Sequence, residues 1–200
     1  MPAPGVLAGF IRLLSGARVL RAEDLPSDPA VFFANHSSHL DFVVIWAALP
    51  PAQRNRTRPV AGRDYWEKTK LRRWLAESVF HAVLIERNKV TVASNPMESM
   101  LAALDAGSSL IVFPEGTRSL DGQIHGFKAG LYHLAKGRPE IPLVPTYLDN
   151  LNRVLPKGEI IAVPLIASVK MGATVRLNDG ETKPAFLTRA RQALLDLTRH

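Results

Sequence analysis

Val31-Phe32-Phe33-Ala34-Asn35-His36-Ser37-Ser38-His39-Leu40-Asp41 is an apolar run that passes directly into a polar cluster, and a second apolar run, Phe42-Val43-Val44-Ile45-Trp46, follows it. Four consecutive apolar residues bounded by polar ones predict a buried strand. If Ser37 or Ser38 caps a helix, Asp41 falls in the first turn, where the helix dipole favours a carboxylate. The stretch therefore predicts a strand-to-helix junction with its polar residues at the carboxyl end of the strand.

The rest of the chain alternates short β-rich runs with helical patterns. The other predicted strands cover residues 59–61, 82–85, 109–113, 143–148, 159–163 and 173–177, and the predicted helices cover 38–49, 70–78, 96–106, 127–136 and 184–198. This alternation predicts an α/β domain with a mixed, largely parallel sheet of about seven strands flanked by helices. Two hundred residues suffice for one such domain, which we place at residues 26–200.

The N-terminal segment, residues 1–25, has an amphipathic pattern. Its apolar residues predict a short helix that either lies in a membrane interface or packs on the domain. Arg12, Arg18 and Arg21 interrupt the apolar sequence, so the segment is too short to cross a bilayer. A basic region ahead of the apolar run and a clear cleavage site are both missing, so we do not expect a secretory signal.

Composition and charge restrict the function classes. The chain has no cysteine, which excludes disulfides, thiolate metal sites and a cysteine nucleophile. Its formal net charge of +7 favours partners that carry phosphate or an anionic membrane surface. Eight basic residues lie between Arg54 and Arg73, interleaved with or next to Tyr65, Trp66 and Trp74. This segment is either a membrane-docking surface or an ordinary solvated face; no nucleic-acid-binding module accompanies it, so we expect no nucleic-acid partner.

The first polar cluster contains a histidine five residues before an aspartate. An Asp41 carboxylate on one ring nitrogen of His36 would leave the other nitrogen free to accept a proton from a substrate hydroxyl. The alternative is an ordinary helix cap with a histidine hydrogen-bonded nearby. His39 could ligate a metal together with His36, but no second cluster has recognisable ligand spacing, so we expect no metal.

The second polar cluster follows the predicted strand at residues 109–113 and reads Pro114-Glu115-Gly116-Thr117-Arg118-Ser119. Gly116 lets the backbone approach a ligand closely, and Arg118 offers a fork of donors suited to a phosphate. Thr117 and Ser119 can add hydroxyl donors. Taken alone, a Pro-Glu-Gly-Thr sequence is more often merely a turn, and the cluster is not a nucleotide P-loop.

In their order and spacing, the two clusters resemble the motifs of the glycerolipid acyltransferase family, which includes 1-acylglycerol-3-phosphate O-acyltransferases. The resemblance covers roughly residues 31–148 and implies a glycerol-3-phosphate acyltransferase-like fold. Asn35 to Asp41 matches N-H-x-S-x-x-D, which implies that His36 is the general base and Asp41 its orienting partner. Phe113 to Ser119 matches F-P-E-G-T-R-S. The acceptor-phosphate site implied by the resemblance comprises Arg87, Glu115, Gly116, Thr117, Arg118 and Lys128. Glu115 is implied in shaping the pocket, and Lys128 comes from an F-K-x-G match.

Two further family blocks match in part. His81 to Arg87 resembles G-x-x-F-I-x-R, but His81 replaces the glycine and Leu84 the aromatic residue. Ile141 to Thr146 resembles the apolar V-P-x-x-P-V block, which implies that Pro142, Val144 and Pro145 line the acyl site.

The resemblance implies a complete reaction. A fatty acyl group passes from acyl-CoA or acyl carrier protein to the free hydroxyl of a lysophospholipid, foremost 1-acyl-glycerol 3-phosphate giving phosphatidate, without a cofactor or an acyl-enzyme. The alternatives are glycerol 3-phosphate or a non-glycerol lysolipid, such as an amino-acid lipid, as acceptor, and a non-catalytic lipid- or phosphate-binding protein. We expect peripheral attachment to the cytoplasmic face of an anionic membrane. The residues predicted to face the membrane are Trp66, Lys70, Arg72, Arg73 and Trp74.

Overall fold

The computed structural model describes residues 5–6, 8–9, 18–20, 25–26, 29–38, 41–86, 95–119, 121–149 and 168–199. Within these ranges the strands are β1 (Arg18–Leu20), β2 (Val31–Ala34), β3 (Thr57–Gly62), β4 (Val83–Ile85), β5 (Ser109–Val112), β6 (Leu143–Asp149) and β7 (Ser168–Met171). They form one sheet in the order β1-β7-β6-β2-β5-β3-β4. Each neighbouring pair is parallel except β6 and β7, which are antiparallel.

Strand β2 lies at the centre of this sheet. Its residue Phe33 is in register with Val112 of β5 on one side and Pro145 of β6 on the other. All four β2 residues are buried, as expected of a central parallel strand covered on both faces. Asn35 and His36 leave this strand next to the residues that leave β5, because parallel neighbours end at the same edge.

Helices cover both faces of the sheet. They are α1 (Asp41–Ala48), α2 (Pro51–Arg54), α3 (Arg63–Trp66), α4 (Lys70–Trp74), which continues as a π-helical turn (Leu75–Val79), α5 (Pro96–Asp105), α6 (Gly130–Gly137) and α7 (Lys183–Asp196), which ends in a 3-10 turn (Leu197–Arg199). Side chains alternate across β2: Phe32 packs in the core layer beneath α1, whereas Phe33 packs in the layer beneath α5, α6 and α7. The domain therefore has three layers.

The structure confirms the predicted fold class, a single α/β domain with a largely parallel sheet. Six strands form the continuous ladder, and β4 extends it at one edge through β3. Strand β1 lies inside the segment 1–25, so the sheet begins before residue 26. The strand predicted at 159–163 lies outside the described residues.

The strand predicted at 173–177 is wrong. The strand that pairs with β6 is β7, and after it only Val175 returns to the sheet, through an isolated bridge to Leu143. Its neighbours Thr174 and Arg176 are exposed. Gly172 packs closely on Pro145, because a Cβ at Gly172 would lie 3.1 Å from the Pro145 ring. The alternating pattern therefore produced one buried contact and not a strand.

The helix predicted from residue 127 begins three residues later, at Gly130. The backbone N–H of Lys128 donates to the carbonyl of Pro114, at 2.8 Å, so it fastens the chain to the loop after β5.

Within the described part of the chain, no helix is both long and apolar enough to cross a membrane.

Candidate active site

His36 and Asp41 form a hydrogen-bonded pair at the β2–α1 junction. His36 Nδ1 lies 2.7 Å from Asp41 Oδ2. The Asp41 side chain is 0% exposed, whereas the His36 side chain is 22% exposed. Because a carboxylate only accepts hydrogen bonds, the shared hydrogen is on Nδ1, and the lone pair of Nε2 is left to face a substrate.

The same Asp41 oxygen also organises the junction backbone. Oδ2 accepts the N–H of Ser37 at 2.7 Å and the N–H of Ser38 at 2.9 Å. The carboxylate in the first turn thus binds the amide groups that precede the helix and orients the imidazole at the same time. Asp41 lies in the first turn of the helix, as predicted, whereas the predicted cap by Ser37 or Ser38 stays a prediction.

The loop after β5 holds the His36 backbone on both sides. The N–H of His36 donates to Glu115 Oε1 at 3.0 Å, and the carbonyl of His36 accepts the N–H of Ser119 at 2.7 Å. The imidazole also stacks on Phe113, with ring centroids 4.2 Å apart and planes inclined by 19°. The ring is therefore fixed by its face, its Nδ1 and its own peptide groups.

Glu115 links two loops through backbone amides. Glu115 is only 5% exposed. Oε1 accepts the N–H of His36, and Oε2 accepts the N–H of His125 at 3.0 Å. A carboxylate would repel a phosphate, and both of its oxygens already have donors. These contacts agree with the pocket-shaping role that the resemblance implies for Glu115, and its place in a phosphate site stays a prediction.

Asp121 organises the loop that leads from Ser119 to Lys128. Its Oδ1 accepts the hydroxyl of Ser119 at 2.8 Å and the N–H of Gln123 at 3.0 Å, and it lies 3.0 Å from the His125 ring. The hydrogen bond from Gln123, followed by that from Ser119, holds the pKa of this carboxyl below its usual value. Asp121 therefore stays ionised and keeps the loop closed on itself.

A cavity of about 580 Å³ opens beside His36. Its polar lining comprises His36, Asp64, Glu86, Gly116, Arg118 and Lys128, and its apolar lining includes Val60, Ile85, Met100, Val112, Leu131 and Leu134. The walls between them carry Phe42, Tyr65, Trp66 and Phe113. The imidazole of His36, the positively charged side chains of Arg118 and Lys128, and an apolar surface thus line the same cavity.

Residues 16–149 match the Acyltransferase family. The chain belongs to the Acyltransferase family. This confirms the resemblance to glycerolipid acyltransferases that rests on the two polar motifs.

Individual relatives of this acyltransferase domain carry consistent names. The 1-acyl-sn-glycerol-3-phosphate acyltransferase of Limnanthes alba is 28% identical over 182 residues, which cover 87% of this chain and 60% of that protein. The 1-acyl-sn-glycerol-3-phosphate acyltransferase alpha of Homo sapiens is 34% identical over 128 residues, which cover 62% of this chain and 42% of that protein. The chain thus spans less than two thirds of the length of these relatives.

The fold also matches a solved structure. The 1-acyl-sn-glycerophosphate (LPA) acyltransferase PlsC from Thermotoga maritima superposes with a TM-score of 0.74 over 98% of this chain and 79% of that one. The sequence identity is 21%, so this likeness shows that the two chains share the acyltransferase fold.

The acyltransferase structure brings several of the predicted phosphate ligands together at the cavity. Gly116, Arg118 and Lys128 line it with His36, whereas the exposed Thr117 does not lie among its described lining residues. Gly116 has φ +75°, and a Cβ there would lie 2.7 Å from Lys128 Nζ. A side chain at this position would be strained by the positive φ and would displace the end of the Lys128 side chain. Arg87 lies outside the described residues.

The role of Pro142, Val144 and Pro145 as acyl-site residues stays a prediction. Pro142 directly precedes β6, where the other two lie, and all three are buried. None is among the described residues that line the cavity. The apolar lining comes instead from β3, β4, β5, α5 and α6. Met100, Leu131 and Leu134 carry no distinctive sequence signal, because their spacing on amphipathic helices is the same as that of ordinary core residues.

The predicted membrane-facing residues divide into two groups. Lys70, Arg73 and Trp74 are exposed, Trp74 to 37%, and their neighbour Leu71 is exposed to 65%. Trp66 instead packs edge-on against Phe42, with centroids 5.5 Å apart, and lines the cavity.

Arg72 lies over the Tyr65 ring at 4.3 Å, so it connects α4 to the cavity wall.

No group of three or more potential metal ligands occurs among the residues with described positions, which do not include His39.

Proposed function

We propose that this chain transfers a fatty acyl group from an acyl thioester to the free hydroxyl of 1-acylglycerol 3-phosphate, which gives phosphatidate. The single observation that carries the proposal is the position of His36, hydrogen-bonded to Asp41, at a cavity that Arg118, Lys128 and an apolar surface also line. The names of the relatives from Limnanthes alba and Homo sapiens agree with it.

In the proposed mechanism, Nε2 of His36 takes the proton of the acceptor hydroxyl. The oxygen attacks the thioester carbonyl, a new ester bond forms, and the C–S bond breaks. The proton passes from the imidazolium to the departing thiolate, and the imidazolium is stabilised by Asp41 in the meantime. Because the substrate's own hydroxyl is the nucleophile, this route needs no acyl-enzyme.

The cavity suits the two chemical halves of the substrates. Arg118 and Lys128 provide donors for the acceptor phosphate next to His36, and Arg118 can bind two oxygens at once. The apolar lining at Met100, Leu131 and Leu134 provides a surface for an acyl chain. About 580 Å³ is within the usual range for a ligand pocket, so the cavity can enclose part of a lipid.

An acceptor panel tests the proposal. The wild-type protein in mixed micelles is supplied with labelled acyl-CoA or acyl carrier protein and, in turn, with 1-acylglycerol 3-phosphate, glycerol 3-phosphate and a zwitterionic lysolipid. We expect labelled phosphatidate from the first acceptor. Phosphatidate formation no faster than in protein-free micelles would reject this acceptor, and failure with every acceptor would favour a binding protein.

A second acceptor class is favoured by the two carboxylates of the same cavity. Asp64 and Glu86 line it together with Arg118 and Lys128. A lysolipid that carries an ammonium group as well as an anion, such as an amino-acid lipid, would satisfy both charges. Glu86 already pairs with Arg63 at 3.1 Å, which weakens its attraction for a cation, so we rank the purely anionic acceptor first.

Arg118→Lys is expected to raise KM for the phosphorylated acceptor about tenfold with a smaller change in kcat. The substitution keeps the positive charge but removes the planar fork that binds two phosphate oxygens. Steady-state kinetics against 1-acylglycerol 3-phosphate measures this effect, with Arg199→Lys on the exposed last turn as the matched control. An unchanged KM in Arg118→Lys would remove Arg118 from the phosphate site.

We also propose peripheral attachment to the cytoplasmic face of an anionic membrane through α4. This helix presents Leu71 and Trp74 to solvent beside Lys70 and Arg73. Apolar and indole side chains next to basic ones suit the interface of an anionic bilayer. Helix α3 of the cavity wall lies next to it in sequence, so a lipid could reach the cavity from the docked surface.

Lys70→Gln combined with Arg73→Gln is expected to weaken binding to anionic vesicles about thirtyfold, because each basic side chain near the surface contributes about 1 kcal/mol. Vesicle sedimentation measures the effect. Lys136→Gln with Arg199→Gln removes the same charge elsewhere and is the matched control. Equal loss of binding in the two double variants would show that net charge, and not this helix, directs attachment.

A further inference from the structure

The helix α7 lies beyond residues 16–149, the part that matches the family, yet it contacts the catalytic loops. Its apolar side anchors it firmly, since Phe186, Ala190 and Leu194 are all fully buried in the core layer that contains Phe33. Arg191 projects from this anchored helix toward the loop that follows Ser119. A function for this side chain does not follow from the family motifs.

Arg191 grips two successive carbonyl groups. Its Nε donates to the carbonyls of Ile124, at 3.0 Å, and His125, at 3.2 Å, and its Nη2 donates to Ile124 at 2.6 Å. A guanidinium holds such groups in a fixed relative geometry because its donors are coplanar. The buried side chain of Ile124 fixes the same point of the loop from the apolar side.

One peptide unit connects Arg191 to Glu115. The carbonyl of Ile124 and the N–H of His125 belong to the same planar peptide group, so fixing one end fixes the other. Arg191 binds the Ile124 carbonyl of this peptide, and the His125 N–H of the same peptide donates to Glu115 Oε2 at 3.0 Å. The other oxygen of Glu115 accepts the N–H of His36, also at 3.0 Å.

We propose that Arg191 is a positioning residue for His36. Arg191 acts on His36 through the Ile124–His125 peptide and Glu115. Without the guanidinium this peptide can rotate, and Glu115 then loses one of its two amide donors. The carboxylate, 5% exposed, is left with an unsatisfied oxygen and shifts, and the His36 backbone shifts with it. The expected fall in kcat rests on the proposed function, whereas the expected shift of the His36 backbone does not.

Arg189 offers a matched control on the same helix. It donates to both oxygens of Glu181, at 2.8 and 2.6 Å, and to the carbonyl of Arg176. These hydrogen bonds lie away from residues 115–128, so removing the Arg189 side chain costs stability without breaking the contacts that lead to His36. Arg189→Ala therefore reproduces the loss of a well-bonded arginine from α7.

The test compares Arg191→Ala, Arg191→Lys and Arg189→Ala in the full chain by melting temperature, kinetics and amide hydrogen exchange. Arg191→Ala is expected to accelerate exchange at the amides of His36 and His125 and to lower kcat, each about tenfold, with a smaller change in acceptor KM. Arg191→Lys is expected to recover part of both losses, because an ammonium can bind one carbonyl. Arg189→Ala is expected to lower the melting temperature but leave exchange and kcat at wild-type values.

Two results would overturn the inference. One is wild-type exchange at both amides in Arg191→Ala, and the other is an equal fall in kcat in Arg189→Ala. Because exchange needs no substrate, an inactive wild-type protein would reject the proposed function while the exchange data still decide the role of Arg191.

Discussion

Replacing His36 by alanine is expected to lower kcat about 10²–10⁴-fold, the usual contribution of general-base catalysis. The side chain that removes the acceptor proton is lost, whereas Arg118, Lys128 and the apolar lining of the cavity remain. KM for both substrates should therefore stay near the wild-type value. The melting temperature should change little, because Asp41 Oδ2 keeps the N–H groups of Ser37 and Ser38 as donors.

Initial rates and a thermal melt of the purified variant measure these effects. His133→Ala is the matched control, since His133 is exposed on α6 and its ring contacts that of the neighbouring Tyr132. A folded His36→Ala protein with wild-type kcat would exclude His36 as the base.

The second large effect is expected from Asp41→Asn. The change preserves the shape of a fully buried side chain but replaces one carboxylate oxygen by an amide group that donates. The imidazolium formed during the reaction then loses its counter-charge, and the ring loses the acceptor that keeps its hydrogen on Nδ1. In Ser-His-Asp triads the corresponding change lowers kcat about 10⁴-fold, and we expect a loss of about 10²–10⁴-fold here.

The decisive readout is kcat against KM at one pH, with Asp179→Asn in the exposed turn before α7 as the control for an Asp-to-Asn change. We expect kcat to fall and acceptor KM to remain, because Asp41 is not part of the cavity lining. A variant in which only KM rises would show that Asp41 supports substrate binding and not proton transfer.

The strands that carry the site were predictable because their signals are local. The apolar runs of β2 and β5 are each followed at once by polar motifs, and parallel pairing of Phe33 with Val112 brings those motifs to one edge. Family likeness then predicted which of the polar residues take part in chemistry. The pairing of His36 with Asp41 also follows from a local helix start.

The remaining features depend on contacts that are distant in sequence. The role of Glu115 depends on the amides of His36 and His125, which a motif does not specify. The apolar lining depends on which core residues the packing of α5 and α6 leaves uncovered. Arg191 has no sequence signal, because an arginine on an amphipathic helix has the same pattern whether it faces solvent or a loop.

In the proposed reaction, the acyl group moves directly from the thioester to an acceptor hydroxyl activated by His36 and Asp41. The most direct test mixes stoichiometric wild-type protein with radiolabelled acyl thioester, with and without 1-acylglycerol 3-phosphate, and quenches with acid at successive times. We predict that label passes into phosphatidate only when the acceptor is present and that none becomes covalently bound to the protein at any time. Protein-bound label that forms without acceptor and is discharged by it, or no transfer in either mixture, would contradict the claim.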